Sequence, residues 1–260
     1  MRRWFSVALV VALAAPAQAG ELEVNWPVDM TVTGVGALVY ILTETAFKKQ
    51  LGPDECRWCD EPLNGLDREV REGLRWESTR TADYVSNVTG FMLAPASALG
   101  LLGIIAEVDG KRANWPADGL VVVESAVVAS AITQLVKMTA ARERPFVHFA
   151  ASSDPRLETV EDHMSFFSGH SSLSFSLAVA SGTVASIRGY RAAPLVWATG
   201  LTVAATTGYL RIAADRHYFT DVLTGAAVGA AVGFSVPYFF HRGDTQIAVT
   251  PSSISVVGRW

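Results

Sequence analysis

Charge is scarce in this chain. Only 18% of its residues are Asp, Glu, Lys or Arg, against about 25% in an ordinary soluble domain. The net charge is −4, which leaves no basic surface of the kind that binds nucleic acid. Cysteine is scarcer still. With two in the chain, a four-cysteine zinc site is excluded. The histidines and carboxylates show no metal-site spacing either, so neither a metal nor another cofactor is expected. Internal repeats and low-complexity tracts are missing, and nothing marks a protein partner.

What remains is hydrophobic. Half of the 260 residues are apolar, enough for one large domain or two small ones. The first twenty residues read as a secretory signal. Arg2 and Arg3 precede an apolar run, and Ala17-Gln18-Ala19 supplies small residues before Gly20. An uncleaved membrane anchor is the alternative. Export makes the pair Cys56 and Cys59 a structural disulfide in a loop rather than a redox centre.

Long uncharged stretches follow at 84–106, 164–187, 192–210 and 222–240, and a fifth at 119–136 carries Glu124 near its start. Each approaches the ~20 residues that cross a bilayer as a helix. Their Ala, Gly, Ser and Thr content suits close helix packing in a membrane, and also the buried helices of a soluble all-α protein. A weaker segment, 30–47, contains Glu44 and reads as a packed or surface-lying helix that does not cross. Lys111, Arg112, Arg188, Arg191 and Arg242 gather on one side of the implied topology, matching the positive-inside tendency. The charged region 48–83 reads as a solvated cap with one amphipathic helix, and no chemistry is assigned to it. The domain reading is therefore 1–20 signal, 21–83 cap, 84–240 helical domain and 241–260 a β-like tail.

Three clusters carry the chemistry. Lys137 and Arg144 are seven residues apart, two helical turns, so both leave one face. Pro145 ends that helix. A guanidinium fork and an ammonium suit a phosphate, although snorkelling cations at a helix end look the same. Ser168-Gly169-His170 opens a helix: Ser168 caps it, Gly169 permits close approach, and free N–H groups bind anions. An ordinary capped helix start has the same spelling. In the third cluster Arg211 precedes His217 and Asp221. Asp221, four residues on, is placed to hold one ring nitrogen of His217 and leave the other free to attack. A helix-terminal salt bridge is the bland alternative. His148 and His163 read as loop residues, and Asn87-Val88-Thr89 as a chance glycosylation sequon.

In this order the clusters resemble the signature of the type 2 phosphatidic acid phosphatase and vanadium haloperoxidase superfamily, K-x6-RP, PSGH and SR-x5-H-x3-D. Phe167 stands where the family has Pro, and Leu210 where it has Ser. The resemblance implies an all-α helical bundle of about six core helices, membrane-embedded, with the active site at one end. It implies catalytic roles for His217, Asp221 and His170: His217 attacks phosphorus, Asp221 orients it, and His170 serves as acid and then base. Lys137, Arg144, Ser168, Gly169 and Arg211 are expected to bind the phosphate. The implied reaction is metal-independent hydrolysis of a membrane lipid phosphate or diphosphate at the periplasmic face of a bacterial inner membrane. Phosphatidate, phosphatidylglycerol phosphate, polyprenyl diphosphate and lipid A are the candidate substrates. A soluble exported acid phosphatase, a vanadate-dependent haloperoxidase and a non-catalytic transporter or scaffold are the alternatives.

Overall fold

The computed structural model describes residues 21–53, 55–59, 62–150, 159–243, 245–250 and 253–258. The expected signal segment 1–20 lies outside the described residues. In chain order the helices are α1 (Trp26–Thr45), α2 (Lys48–Leu51), α3 (Gly65–Leu74), α4 (Thr79–Val88), α5 (Leu101–Val108), α6 (Trp115–Ala140), α7 (Pro145–His148), α8 (Gly169–Ile187), α9 (Ala193–Ala213) and α10 (Phe219–Ser235). Two π-helical turns, Thr89–Leu93 and Ala96–Gly100, carry α4 towards α5 as one rod, and a third, Val236–Phe240, extends α10. The tail is a hairpin of β1 (Thr245–Thr250) and β2 (Ser253–Gly258), paired antiparallel, as its β-like composition suggests.

Local sequence sets these starts and stops. Proline stands in the first turn of α1, α6 and α9, where its missing N–H costs nothing. The α6 helix ends at Ala141, which takes a left-handed conformation (φ 48°), and Arg144 before Pro145 is extended.

Helix α8 is the axis of the bundle, buried along nearly its whole length. It packs on α6, α9 and α10. Its contact with α10 is backbone on backbone. A Cβ on Gly225, Gly229 or Gly233 would come within 2.5, 2.2 and 2.5 Å of the Ser168, Ser172 and Ser176 carbonyl oxygens. Glycine every fourth residue keeps one face of α10 bare, which is how helices approach without a strong hydrophobic drive between them.

The outer surface is apolar. Val28, Met30, Val35, Leu38, Phe91, Met92, Ile104, Leu135 and Leu223 are all exposed. The stretches Trp26–Thr45, Thr79–Val108, Arg112–Ala140 and Phe219–Phe240 are long and apolar enough to cross a membrane. This is a membrane protein. The segment 30–47 forms a packed helix, as expected, and its stretch is also long and apolar enough to cross. Helix α1 is a full-length apolar rod lying parallel to α6, with Asp29 near Glu124, Gly36 against Val127 and Glu44 beside the cavity that Lys137 lines. With Thr33 its only buried residue, α1 shows most of its apolar surface to the surroundings.

The two ends of the bundle differ. At one end Arg191 pairs with Asp109 at 2.7 Å and Lys111 Nζ donates to the Arg188 carbonyl at 2.8 Å. Residues 21–23 lie beside 241–243 at that end too, through Glu23 N–H donating to the His241 carbonyl at 2.7 Å. There the structure also gathers Asp29, Glu124 and His241, whose ligand-type atoms all lie within 4.8 Å of one another. No sequence spacing shows that cluster, because its members are far apart in the chain. Its groups are hydrogen-bonded to protein: His241 to Glu124 and to the Glu23 carbonyl, and Asp29 to the Asn25 N–H. The opposite end holds the cap, α7 and all three motifs.

Candidate active site

The three motifs meet around one cavity of about 230 Å³. Lys137, Arg144, Gly169, His170, Arg211 and His217 all line it. Lys137 comes from the last turn of α6, Arg144 from the extended residue after it, and Gly169 and His170 from the first turn of α8. Arg211 ends α9, and His217 stands in the turn before α10. Ser168 sits beneath the cavity, fully buried. Its Oγ accepts from the Ser171 N–H at 3.4 Å, the expected cap. Lys137 lies over this helix start: a Cβ on Gly169 would be 3.5 Å from Lys137 Nζ. Helix N–H groups and an ammonium thus converge on one space, an arrangement that favours an anion.

The arginines are held by groups outside the motifs. Arg211 Nη1 donates to Asp83 at 2.7 Å and to Ser86 at 2.9 Å, while its buried Nε has no partner among the described residues. Arg144 Nε donates to the Glu161 carbonyl at 2.6 Å. A further cation, Arg216, lines the cavity and pairs with Asp83 at 2.8 Å. Lys48 is clamped at the rim between Glu44 and Glu161 at 2.7 and 2.6 Å.

His217 is 2% exposed. Burial drives its pKa well below the ordinary histidine value, and the charges of Arg144, Arg211 and Lys137 push the same way. Both effects favour the neutral ring. Nδ1 donates to the Ser165 carbonyl at 2.8 Å, so the lone pair is on Nε2. Here the expected contact differs. Asp221 lies 3.7 Å from Nδ1, beyond hydrogen-bond reach. His217 precedes α10, so four-residue spacing does not place the pair on one helical face. Asp221 instead binds the frame: it accepts from Ser165 Oγ at 2.6 Å, Tyr218 N–H at 3.0 Å and Arg142 Nη1 at 2.6 Å. It therefore fixes the segment whose carbonyl orients His217.

The cap, expected to carry no chemistry, is built into this frame. Arg142, 1% exposed, bonds Asp67 and Asp221 and lies between the Trp58 and Tyr218 rings at 4.4 and 4.3 Å. Trp58 sits inside the Cys56–Cys59 disulfide, which forms as expected. The 83/84 boundary falls inside α4, and that helix supplies Asp83 and Asn87. Asn87 is no bystander, since its Oδ1 lies 2.7 Å from His170 Nε2. The signal for both was their four-residue spacing at the start of an apolar helix. Arg142 and Arg216 were visible only as charges beside motif residues. His148 and His163 do not line the cavity. Phe167 and Leu210, the departures from the family pattern, are buried and do not line it either.

A bundle of membrane-length helices with two imidazoles among cations at one end defines a helical membrane protein with an anion pocket. Residues 118–244 match the PAP2 superfamily family model, and that segment is a PAP2 superfamily domain. A crystal structure of a transmembrane PAP2-type phosphatidylglycerolphosphate phosphatase from Bacillus subtilis aligns at a TM-score of 0.49 and 19% identity, covering 80% of this chain and 94% of that one. No curated protein matches the sequence.

Proposed function

We propose that this protein hydrolyses a lipid phosphate or diphosphate through a phosphohistidine on His217. The observation that carries the reading is the meeting of two imidazoles with Lys137, Arg144 and Arg211 in one cavity. His217 Nε2 attacks phosphorus, and the bond from phosphorus to the leaving oxygen breaks. His170 gives that oxygen a proton. Water then attacks the phosphohistidine and passes a proton to His170. The P–N bond breaks, inorganic phosphate leaves, and Nε2 recovers its lone pair. Lys137, Arg144, Arg211 and the α8 N-terminus hold the equatorial oxygens, where charge develops. These cations are already part of the chain, and the reaction is expected to survive EDTA.

A lipid substrate is supported by what borders the pocket. Tyr40, Phe91 and Leu173 line it, and Val39, Ile41, Phe91 and Met92 are exposed beside it. An acyl or prenyl tail would lie along that surface. An outward-facing site is supported by the disulfide at its end of the bundle, and by Lys111, Arg112, Arg188, Arg191 and Arg242 at the other.

The test is phosphate release by purified wild type and His217→Ala with EDTA present. Diacylglycerol phosphate and polyprenyl diphosphate in detergent are compared with a soluble phosphomonoester. Lipid-selective turnover lost in the variant is the expected result. Turnover of the soluble ester alone would establish the exported acid phosphatase instead, and undiminished turnover in His217→Ala would overturn the phosphohistidine.

A further inference from the structure

His170 is held on three sides by one short stretch of chain outside the PAP2 segment. Asn87 Oδ1 lies 2.7 Å from its Nε2. The Phe91 ring packs on the imidazole with centroids 4.5 Å apart. Gly90 lies so close that a Cβ there would come within 2.9 Å of His170 Cδ2. These residues straddle the point where α4 becomes the π turn Thr89–Leu93. The wider turn brings Asn87, Gly90 and Phe91 to one ring, and π turns recur at functional sites for reasons of this kind.

An amide is a particular choice of partner. The pocket already holds Lys137, Arg144, Arg211 and Arg216, and it must accept an anion. A carboxylate beside His170 would repel that anion, and an ammonium would repel the imidazolium. The carbonyl of Asn87 accepts the Nε2 proton without charge, which fixes the ring plane and the tautomer. One turn earlier on the same helix, Asp83 holds Arg211 and Arg216. The pattern Asp83-x3-Asn87 thus braces the phosphate cations with one side chain and the acid–base imidazole with the next.

We propose that Asn87 is a positioning residue for His170, with Gly90 and Phe91 completing the cradle, so that α4 and its π turn set the efficiency of proton transfer to the leaving oxygen. The role presupposes the phosphohistidine reading of the same pocket.

The test uses leaving groups of different need. An alkoxide must be protonated as it departs, whereas 4-nitrophenolate departs without a proton. Phosphoenzyme formation is followed in the full-length protein with a short-chain diacylglycerol phosphate and with 4-nitrophenyl phosphate. Asn87→Leu is expected to slow the alkyl ester about 10²-fold, the usual worth of general acid catalysis, and the nitrophenolate burst far less. Asn87→Asp, which keeps an acceptor oxygen at the same reach, is expected to recover most of the alkyl-ester kcat relative to the nitrophenyl ester, while its charge repels the phosphate and raises KM for both. Asn87→Ser, too short to reach the ring, is expected to behave like Asn87→Leu and carries the comparison should Asn87→Leu not fold. Equal losses on the two esters, in variants that melt like wild type, would overturn the proposal. A wild type that forms no phosphoenzyme, or a His217→Ala that still does, would instead overturn the phosphohistidine reading itself.

Discussion

At the scale of single residues, the frame beneath the cavity matters as much as the motif side chains. Arg142 bridges Asp67 and Asp221, all three essentially inaccessible. Removing one partner of a buried ion group strands the others without compensation, at about 3–5 kcal/mol. Arg142→Met is therefore expected to lower the melting temperature sharply in detergent, a loss that Arg142→Lys only partly repairs because one ammonium cannot serve Asp67, Asp221 and Thr220 together. The pH dependence follows from His217. Its attack requires the neutral ring, and burial with Arg144, Arg211 and Lys137 holds its pKa well below the ordinary value. The acid limb of kcat/KM, which reports the free enzyme, is expected to fall below the ordinary ~6.5 of histidine. An acid limb at or above that value would mean the pocket does not hold His217 neutral. Motif residues were legible in the sequence because each cluster is local. Their partners were not. Asp83 is 128 residues from Arg211, and Asn87 is 83 from His170, and only the fold joins them.

Elements answer a different question, how helices without charge or strong amphipathic pattern find one packing. The α8–α10 seam rests on bare glycine backbone, so it is sensitive to a single methyl group. Gly229→Ala puts a Cβ 2.2 Å from the Ser172 carbonyl oxygen. Backbone cannot swing aside as a side chain does, and overpacking of this kind costs about 1–3 kcal/mol. Thermal unfolding in detergent is expected to show that loss, while Gly34→Ala, with nothing within 4 Å of the added Cβ, stays near wild type. Equal behaviour would mean that the seam relaxes. The apolar runs and their small residues announced these helices. The role of α1 did not show, because Glu44 near its end reads as a polar fault in a weak span, whereas the fold places it at the cavity, paired with Lys48.

The whole molecule is a bundle with a cavity end and a clasped end. Helix α1 runs parallel to α6, so residues 21–25 belong at the end bearing Lys111, Arg188 and Arg242. A signal removed at Ala19 would deliver residue 20 to the exported side. With α1 crossing, that would turn the site inward. The structure holds its cysteines in one disulfide, so single introduced cysteines can report on the two ends. Glu77→Cys at the site end is expected to react with an impermeant maleimide in intact cells, and Arg112→Cys only after lysis. The reverse would turn the site inward. The clasp itself is expected to be pH-sensitive. Burial opposes charge on His241, yet Glu124, the Glu23 carbonyl and Asp29 together raise its pKa. A raised folded pKa means that its stabilisation is fully present below the unfolded value of ~6.5 and is lost as pH rises through the folded one. Melting curves of wild type and His241→Gln should therefore lie furthest apart under acid conditions and converge in alkali. A gap independent of pH would mean that His241 contributes packing and hydrogen bonds without its charge.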